Sequence, residues 1–230
     1  MMKKSHRFAF TMVEILAVTA IISILAAIGF GSYSYAMGRA KESATRALVK
    51  QLEAGIAAFH AKYGYYPPVN NFGTITVTRN DSDNVVQAIC FVHPDDENKP
   101  DNEQTKSYML GYTAKNEPSN ARQKRFKEAE LAIFMKAVDF ETVARYIPFS
   151  EVKINGKKYQ RGQITDAYGG TIYYRAPGAI NTTRFDLIAP GEDGYFGEVT
   201  ADTKRTTPSD TKSDYIDSSN DWICDDIANF

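Results

Sequence analysis

Residues that commonly carry chemistry are scarce in this chain. Its 230 residues hold three histidines, two cysteines and one tryptophan. His6, His60 and His93 have no cysteine, serine or aspartate partner at the spacing of a zinc site or a nucleophilic triad. Gly169-Gly170 matches no phosphate-cradling loop and reads as a turn. The sequence therefore gives no reason to expect an enzyme. An excess of positive charge is also missing: the formal net charge is −1, and without Lys3, Lys4 and Arg7 it is −4. Non-specific binding to nucleic acid needs clustered Lys and Arg, so no nucleic acid is expected as a partner. Cys90 and Cys224 leave two readings open, a bridge or two free thiols, because sequence alone gives no distance.

The most informative absence lies near the N-terminus. Residues 10–30, FTMVEILAVTAIISILAAIGF, contain no Lys, Arg, Asp or Pro, and Gly enters only at Gly29. As a helix this stretch would span roughly 31 Å at ~1.5 Å per residue, about one bilayer core. The basic leader before it keeps to the cytoplasm, so everything after Phe30 is expected on the far side. One carboxylate, Glu14, interrupts the run, where an unpaired charge at mid-depth costs on the order of 2.5 to 3.5 kcal/mol. Glu14 has two readings: it reaches headgroup water, or it pairs with a cation inside an apolar assembly. A cleaved secretory signal is the competing account of the same residues, with Ser34-Tyr35-Ala36 as its small-x-small site. Against it, the apolar run exceeds the usual signal core of about 7 to 15 residues and is headed by an acid.

Helical periodicity continues past Gly31. Met37, Ala44, Leu48, Leu52, Ile56, Phe59 and Tyr63 form one apolar stripe, with Lys41, Glu42, Lys50, Glu53 and Lys62 off it. Gly64 stops the helix and Pro67-Pro68 forbids continuation, so one helix over residues 10–63 would be roughly 80 Å long. Two helices hinged at residues 29–31 are the alternative. Farther on, residues 73–78 read as a short strand and residues 84–90 as a short helix capped by Asp83. Residues 93–105, with Pro94, Pro100 and the acids Asp95, Asp96 and Glu97, read as an exposed loop. Residues 120–144 read as a helix capped by Ser119 or Asn120, with Phe126, Ala129, Ile133, Phe134 and Val138 toward the core. Its basic first turns, Arg122, Lys124, Arg125 and Lys127, read as a solvated face. Asn155-Gly156 between alternating runs predicts a type I′ hairpin, and strands follow near residues 171–175 and 184–189.

The N-terminal residues also carry a resemblance. Lys3, Lys4, Arg7, Phe8, Ala9, then Phe10, Thr11, Met12, Val13 and Glu14 resemble the leader and cleavage site of type IV pilins and type II secretion pseudopilins. Ala9 stands where Gly is usual, and the Pro common near the far end of the apolar segment is absent. The phrase ending in Tyr63-Gly64-Tyr65-Tyr66-Pro67 is similar to the end of that family's long helix. Asp166-Ala-Tyr168-Gly169, Asp186 to Gly194 and the ending Asp225-Asp226-Ile227 resemble loops of the major, G-like pseudopilin.

The resemblance implies a cut between Ala9 and Phe10 by a prepilin peptidase, methylation of the new N-terminal Phe10, and a Glu14 that pairs with a neighbouring subunit's amine during assembly. It also implies a Ca²⁺ ion held by Asp193, Asp225 and Asp226, with backbone oxygens near Pro190. The loop is not an EF-hand: counting from Asp217, Trp222 stands where Gly is needed and Ala228 where the bidentate Glu is needed.

The expected class is α+β and pilin-like, a long N-terminal helix on a small antiparallel sheet with a helical insertion. Its expected parts are a leader (1–9), a transmembrane or fibre-core helix (10–31), an amphipathic continuation (32–64), a variable loop and helical insertion (65–150), and a sheet with an acidic C-terminal loop (151–230). The implied function is a structural subunit of a pilus-like filament of a type II secretion system, anchored in a bacterial inner membrane with its C-terminal part in the periplasm. Its implied partners are other subunits, the peptidase, the inner-membrane assembly machinery and lipid. A type IV pilin for adhesion or DNA uptake, or a secreted soluble domain, is the alternative.

Overall fold

The computed structural model describes residues 11–200, 203–216 and 224–230. Helix α1 is Met12–Tyr63, with Gly29 and Gly31 inside it, so a break between two helices is not seen there. Gly64 ends it in the left-handed region at φ 78°, where its N–H donates to the His60 carbonyl at 2.7 Å. The chain divides into two units, residues 1–40 and 41–230.

In the second unit the strands β1 (Val69–Asn80), β2 (Val86–Val92) and β3 (Tyr108–Gly111) come before the helices α2 (Ala121–Ala137) and α3 (Phe140–Ala144). Then follow β4 (Ser150–Ile154), β5 (Lys157–Gln163), β6 (Tyr173–Ala176), β7 (Asp186–Ala189), β8 (Phe196–Thr200), β9 (Thr203–Arg205) and β10 (Ile227–Ala228). Among the described residues eight strands form one antiparallel sheet, ordered β10-β7-β6-β1-β2-β3, with β5 also against β1 and β4 beyond β5. The long β1 holds the sheet together: its start pairs with β6 and its end with β5.

Residues 65–150, expected as a variable loop and helical insertion, contain strands of the sheet as well as helices. They supply its central strand as well as α2 and α3. The alternation Ile75, Val77 inward and Thr74, Thr76, Thr78 outward is that of a two-faced strand, and the strand itself runs past residues 73–78, over Val69–Asn80. Residues 84–90, expected as a short helix, lie mostly in β2 (Val86–Val92) instead. Ile75 pairs with Phe91 and Val77 with Ile89, so tertiary pairing overrides a local helix start.

One face of the sheet meets α1. Leu48, Leu52, Ile56 and Phe59 are buried with Ile75, Val77, Ile89, Phe91, Tyr174 and Leu187 in the main core. Each such side chain contributes about 1.5 to 3 kcal/mol on burial. Helix α2 packs close to α1 at Gly55, where a Cβ would come within 2.6 Å of Val138 Cγ2 and 2.8 Å of the Phe134 ring. Asn120 is the cap of α2, its side chain accepting from Gln123 N. The buried stripe of α2 is Glu130, Phe134 and Val138, whereas Ala129 and Phe126 are exposed. The expected stripe is rotated because Glu130 is fully enclosed: it accepts from the Tyr108 hydroxyl at 2.6 Å and from Lys127 Nζ at 2.9 Å. The other sheet face carries a smaller cluster, Phe72, Ile188, Phe196, Tyr215 and Ile216. The hairpin β4–β5 turns through Asn155 (φ 49°) and Gly156 (φ 77°), as a type I′ turn requires.

Candidate functional site

The first stretch of α1 has no core. Met12, Val13, Ile15, Leu16, Val18, Ile21, Ile22, Ile24, Leu25, Ile28 and Phe30 are all more than half exposed. The stretch is long and apolar enough to cross a membrane, and none of its most apolar window is buried. Its two internal hydroxyls fold back onto the helix: Thr19 Oγ1 donates to the Leu16 carbonyl at 3.0 Å and Ser23 Oγ to the Thr19 carbonyl at 2.8 Å. They therefore present no unsatisfied donor to an apolar medium.

Glu14 takes part in a geometry that neither expected reading names. Its Oε2 accepts from Thr11 N and from Thr11 Oγ1, both at 2.8 Å, while Glu14 N donates to Thr11 Oγ1 at 3.3 Å. This reciprocal pairing is a capping box at the helix start. The signal was present in sequence as Thr-x-x-Glu before an apolar run. Past the apolar stretch, Tyr33 and Tyr35 are exposed, and the Arg39 guanidinium lies 5.7 Å from the Tyr35 ring with Nε donating to its hydroxyl at 3.3 Å. Tyr and Arg beyond an apolar span are the composition of a membrane interface. Ala9 and Phe10, the expected cleavage pair and methylation site, lie outside the described residues.

At the other end of the chain, Asp193, Asp225 and Asp226 come into one corner. Asp225 Oδ2 accepts from Glu192 N at 2.6 Å and Asp193 N at 3.0 Å, and Asp193 Oδ1 accepts from Tyr195 N at 2.8 Å. Asp226 Oδ2 accepts from Gly197 N at 2.7 Å, and among the described residues its buried Oδ1 has no hydrogen-bond partner. Burial pushes the Asp226 carboxyl up to about 7, with the nearby Asp225 and Asp193 charges adding and the Cys224 thiol and Gly197 N–H opposing. Asp193 is raised as well, by burial first and by Asp225. One oxygen each of Asp193 and Asp225 accepts from loop amides. Among the described residues no set of three or more His, Cys, Asp or Glu is arranged to hold a metal ion.

The two other motif aspartates are loop caps. Asp166 Oδ1 accepts from Tyr168 N and Gly170 N, and Asp186 accepts from Ile180 N and Asn181 N. Cys90 and Cys224 are both free thiols. The loop expected to be exposed over residues 93–105 buries His93, Asp96 and Asp101. Asp96 accepts from Lys106 N, Ser107 N, Ser107 Oγ and Lys99 Nζ, so this acid is consumed in fixing the loop. With this geometry in view, the comparisons add nothing: no family model, no curated protein and no solved structure matches the chain.

Proposed function

We propose that this chain is a membrane-anchored structural subunit of a pilus-like filament, of the pseudopilin kind that serves type II secretion. One observation carries the reading: a long apolar helix surface, headed by a single acid, that is exposed among the described residues. Such a surface needs lipid or other helices around it. In the membrane it holds the subunit, with the domain from residue 41 onward in the periplasm. In the fibre the same side chains pack against neighbouring helices, so extraction from lipid trades one apolar contact for another. Peptide-bond cleavage between Ala9 and Phe10 would create a positive amine, and Glu14 of an adjacent subunit would compensate it in the low-dielectric fibre core. The Thr11 contacts hold Glu14 until that partner arrives.

The first experiment is the N-terminal mass of the mature chain from cells with and without a prepilin peptidase. N-methylated Phe10, lost without the peptidase, supports the filament reading. A chain beginning at Met37 would replace it with a secreted domain. One observation favours that second reading: the second unit begins at Lys41, just past the small-x-small site, so such a cut would leave it whole.

A further inference from the structure

We propose that the outer face of the sheet carries a binding site for a small, uncharged, polyhydroxylated ligand of the size of a mono- or disaccharide. The inference concerns the second unit alone and does not depend on the filament reading.

A crevice of about 500 Å³ lies on the sheet face turned away from α1. This is within the range of small-molecule sites, roughly 300 to 1,000 Å³. Its floor follows from strand register. Thr74, Thr76 and Thr78 of β1 point outward because Ile75 and Val77 point into the core. Thr76 pairs with Cys90 on one side and Gln163 on the other, Thr74 with Val92, and Thr78 with Arg161. The floor is thus a grid of hydroxyl, thiol, amide and guanidinium groups. Its walls are the loop bearing Glu97, Lys99, Asp101 and Gln104 on one side, and Pro148, Ser150, Thr165 and Thr171 on the other.

Two properties make this more than a wet surface. The wall is fixed in advance: Asp96 is fully buried with four donors on it, and Asp101 accepts from Thr113 Oγ1 at 2.9 Å and from Arg161 Nη2 at 2.6 Å. Side chains held by such supporting contacts can bind without paying to become ordered. The free hydrogen-bonding capacity is also of one kind. Lys99 is paired with Asp96 and Arg161 with Asp101, so the charge of each cation is already balanced by a neighbouring carboxylate. Among the described residues the Thr76 and Thr171 side-chain hydroxyls have no hydrogen bond, and Glu97 has only a 3.5 Å contact from Gln163 Nε2. Hydroxyls that both donate and accept, beside a carboxylate and an amide, match ligand hydroxyls that do the same. The lining contains no aromatic ring, so affinity rests on hydrogen bonds and is expected to be weak, on the order of millimolar.

The test uses the full chain in a detergent without a sugar headgroup and reads saturation transfer by NMR. The probes are glucose, galactose, N-acetylglucosamine and maltose, with inorganic phosphate and glutamate as charged controls. Transfer to at least one sugar, weakened roughly tenfold in affinity by Thr76→Val with an unchanged melting curve, is the expected result. Thr171→Val on the opposite wall should weaken it too, and it serves alone if the first variant melts early. Absence of transfer to every sugar, transfer undiminished in both variants, or stronger binding of phosphate than of any sugar would overturn the proposal.

Discussion

The two stretches of α1 are both helical and both rich in apolar residues, yet their fates differ. Between Leu48 and Phe59 the apolar side chains are spaced as one stripe and vanish into a core with β1, β2, β6 and β7. Between Met12 and Phe30 they cover every side of the helix and are exposed among the described residues. A stripe fits a partner on one face; a surface apolar all round needs a surrounding medium or a ring of neighbours. The difference teaches where the partner comes from. The later stretch finds its partner within the chain, and under the proposed function the earlier one finds it outside.

Substitution should expose that asymmetry most strongly at matched positions. Phe59→Ala removes a fully buried ring and should cost about 3 to 5 kcal/mol, read as a shift in the denaturation midpoint of the full chain in detergent. Leu25→Ala, on the exposed stretch, should leave the same midpoint within about 0.5 kcal/mol. A comparable loss from both would break the comparison, since it would mean the early stretch is packed within the chain.

A second, smaller effect tests what keeps the later stretch covered. Glu130 ties α2 to β3 through Tyr108 and Lys127, and Tyr108 reaches Tyr65 at 3.0 Å just beyond the end of α1. Burial first, and then the Glu130 and Tyr65 hydrogen bonds, raise the Tyr108 hydroxyl well above its usual range, so it stays a donor. Glu130→Ala removes the carboxylate acceptor of the half-buried Tyr108 hydroxyl and the ion-pair partner of Lys127, leaving them Tyr65 and the Met109 carbonyl, and should cost about 2 kcal/mol. Glu130→Gln, which still accepts from Tyr108, should cost less. Equal costs would show that the carboxylate's charge, and not the Tyr108 contact, holds the helix.

Much of this division was legible in the sequence, and the misreadings share a cause. The stop at Gly64 and the turn at Asn155-Gly156 were readable because backbone conformation at those positions depends on local chemistry. The uncovered stretch was readable because its length and lack of charge are local too. What failed depended on distant partners. Residues 86–92 are too short for a period to separate strand from helix, and only pairing with β1 decides. Asp96 and Asp101 were placed at the surface because acids usually are, and Glu130 was not singled out, yet each is buried against donors far along the chain or clustered by a loop. At the candidate site the Thr11-x-x-Glu14 pattern was visible, but it was overlooked beside the meaning of an acid in an apolar run.

The capping box sets up the next contrast, between a local and an intermolecular role for one residue. Thr11→Ala and Glu14→Ala should each weaken the start of α1 by about 1 kcal/mol or less, seen as faster amide exchange in the first turn. If Glu14 also compensates a neighbour's amine, Glu14→Ala should abolish filament formation while Thr11→Ala only reduces it. Pelleting of sheared filaments separates the two. Equal yields from the two variants would reduce Glu14 to a cap.

The smallest expected effect belongs to the C-terminal corner and should be felt by the folded unit alone. The Asp226 carboxyl is pushed up to about 7 by burial, against about 3.9 in an unfolded chain. Between those values the folded state binds the extra proton, so stability falls as pH rises through the window and is regained as pH falls. Asp193, also raised, acts in the same direction. From about pH 6 to about pH 8 the folded unit should lose up to about 1 kcal/mol, discounted for partial solvent access. Asp226→Asn, which cannot ionise, should flatten most of that slope, while the helical signal of the exposed stretch in micelles stays constant. A slope that survives Asp226→Asn would move the titration to another group. A pH response shared equally by the exposed stretch would mean that the two parts of α1 are not energetically separate.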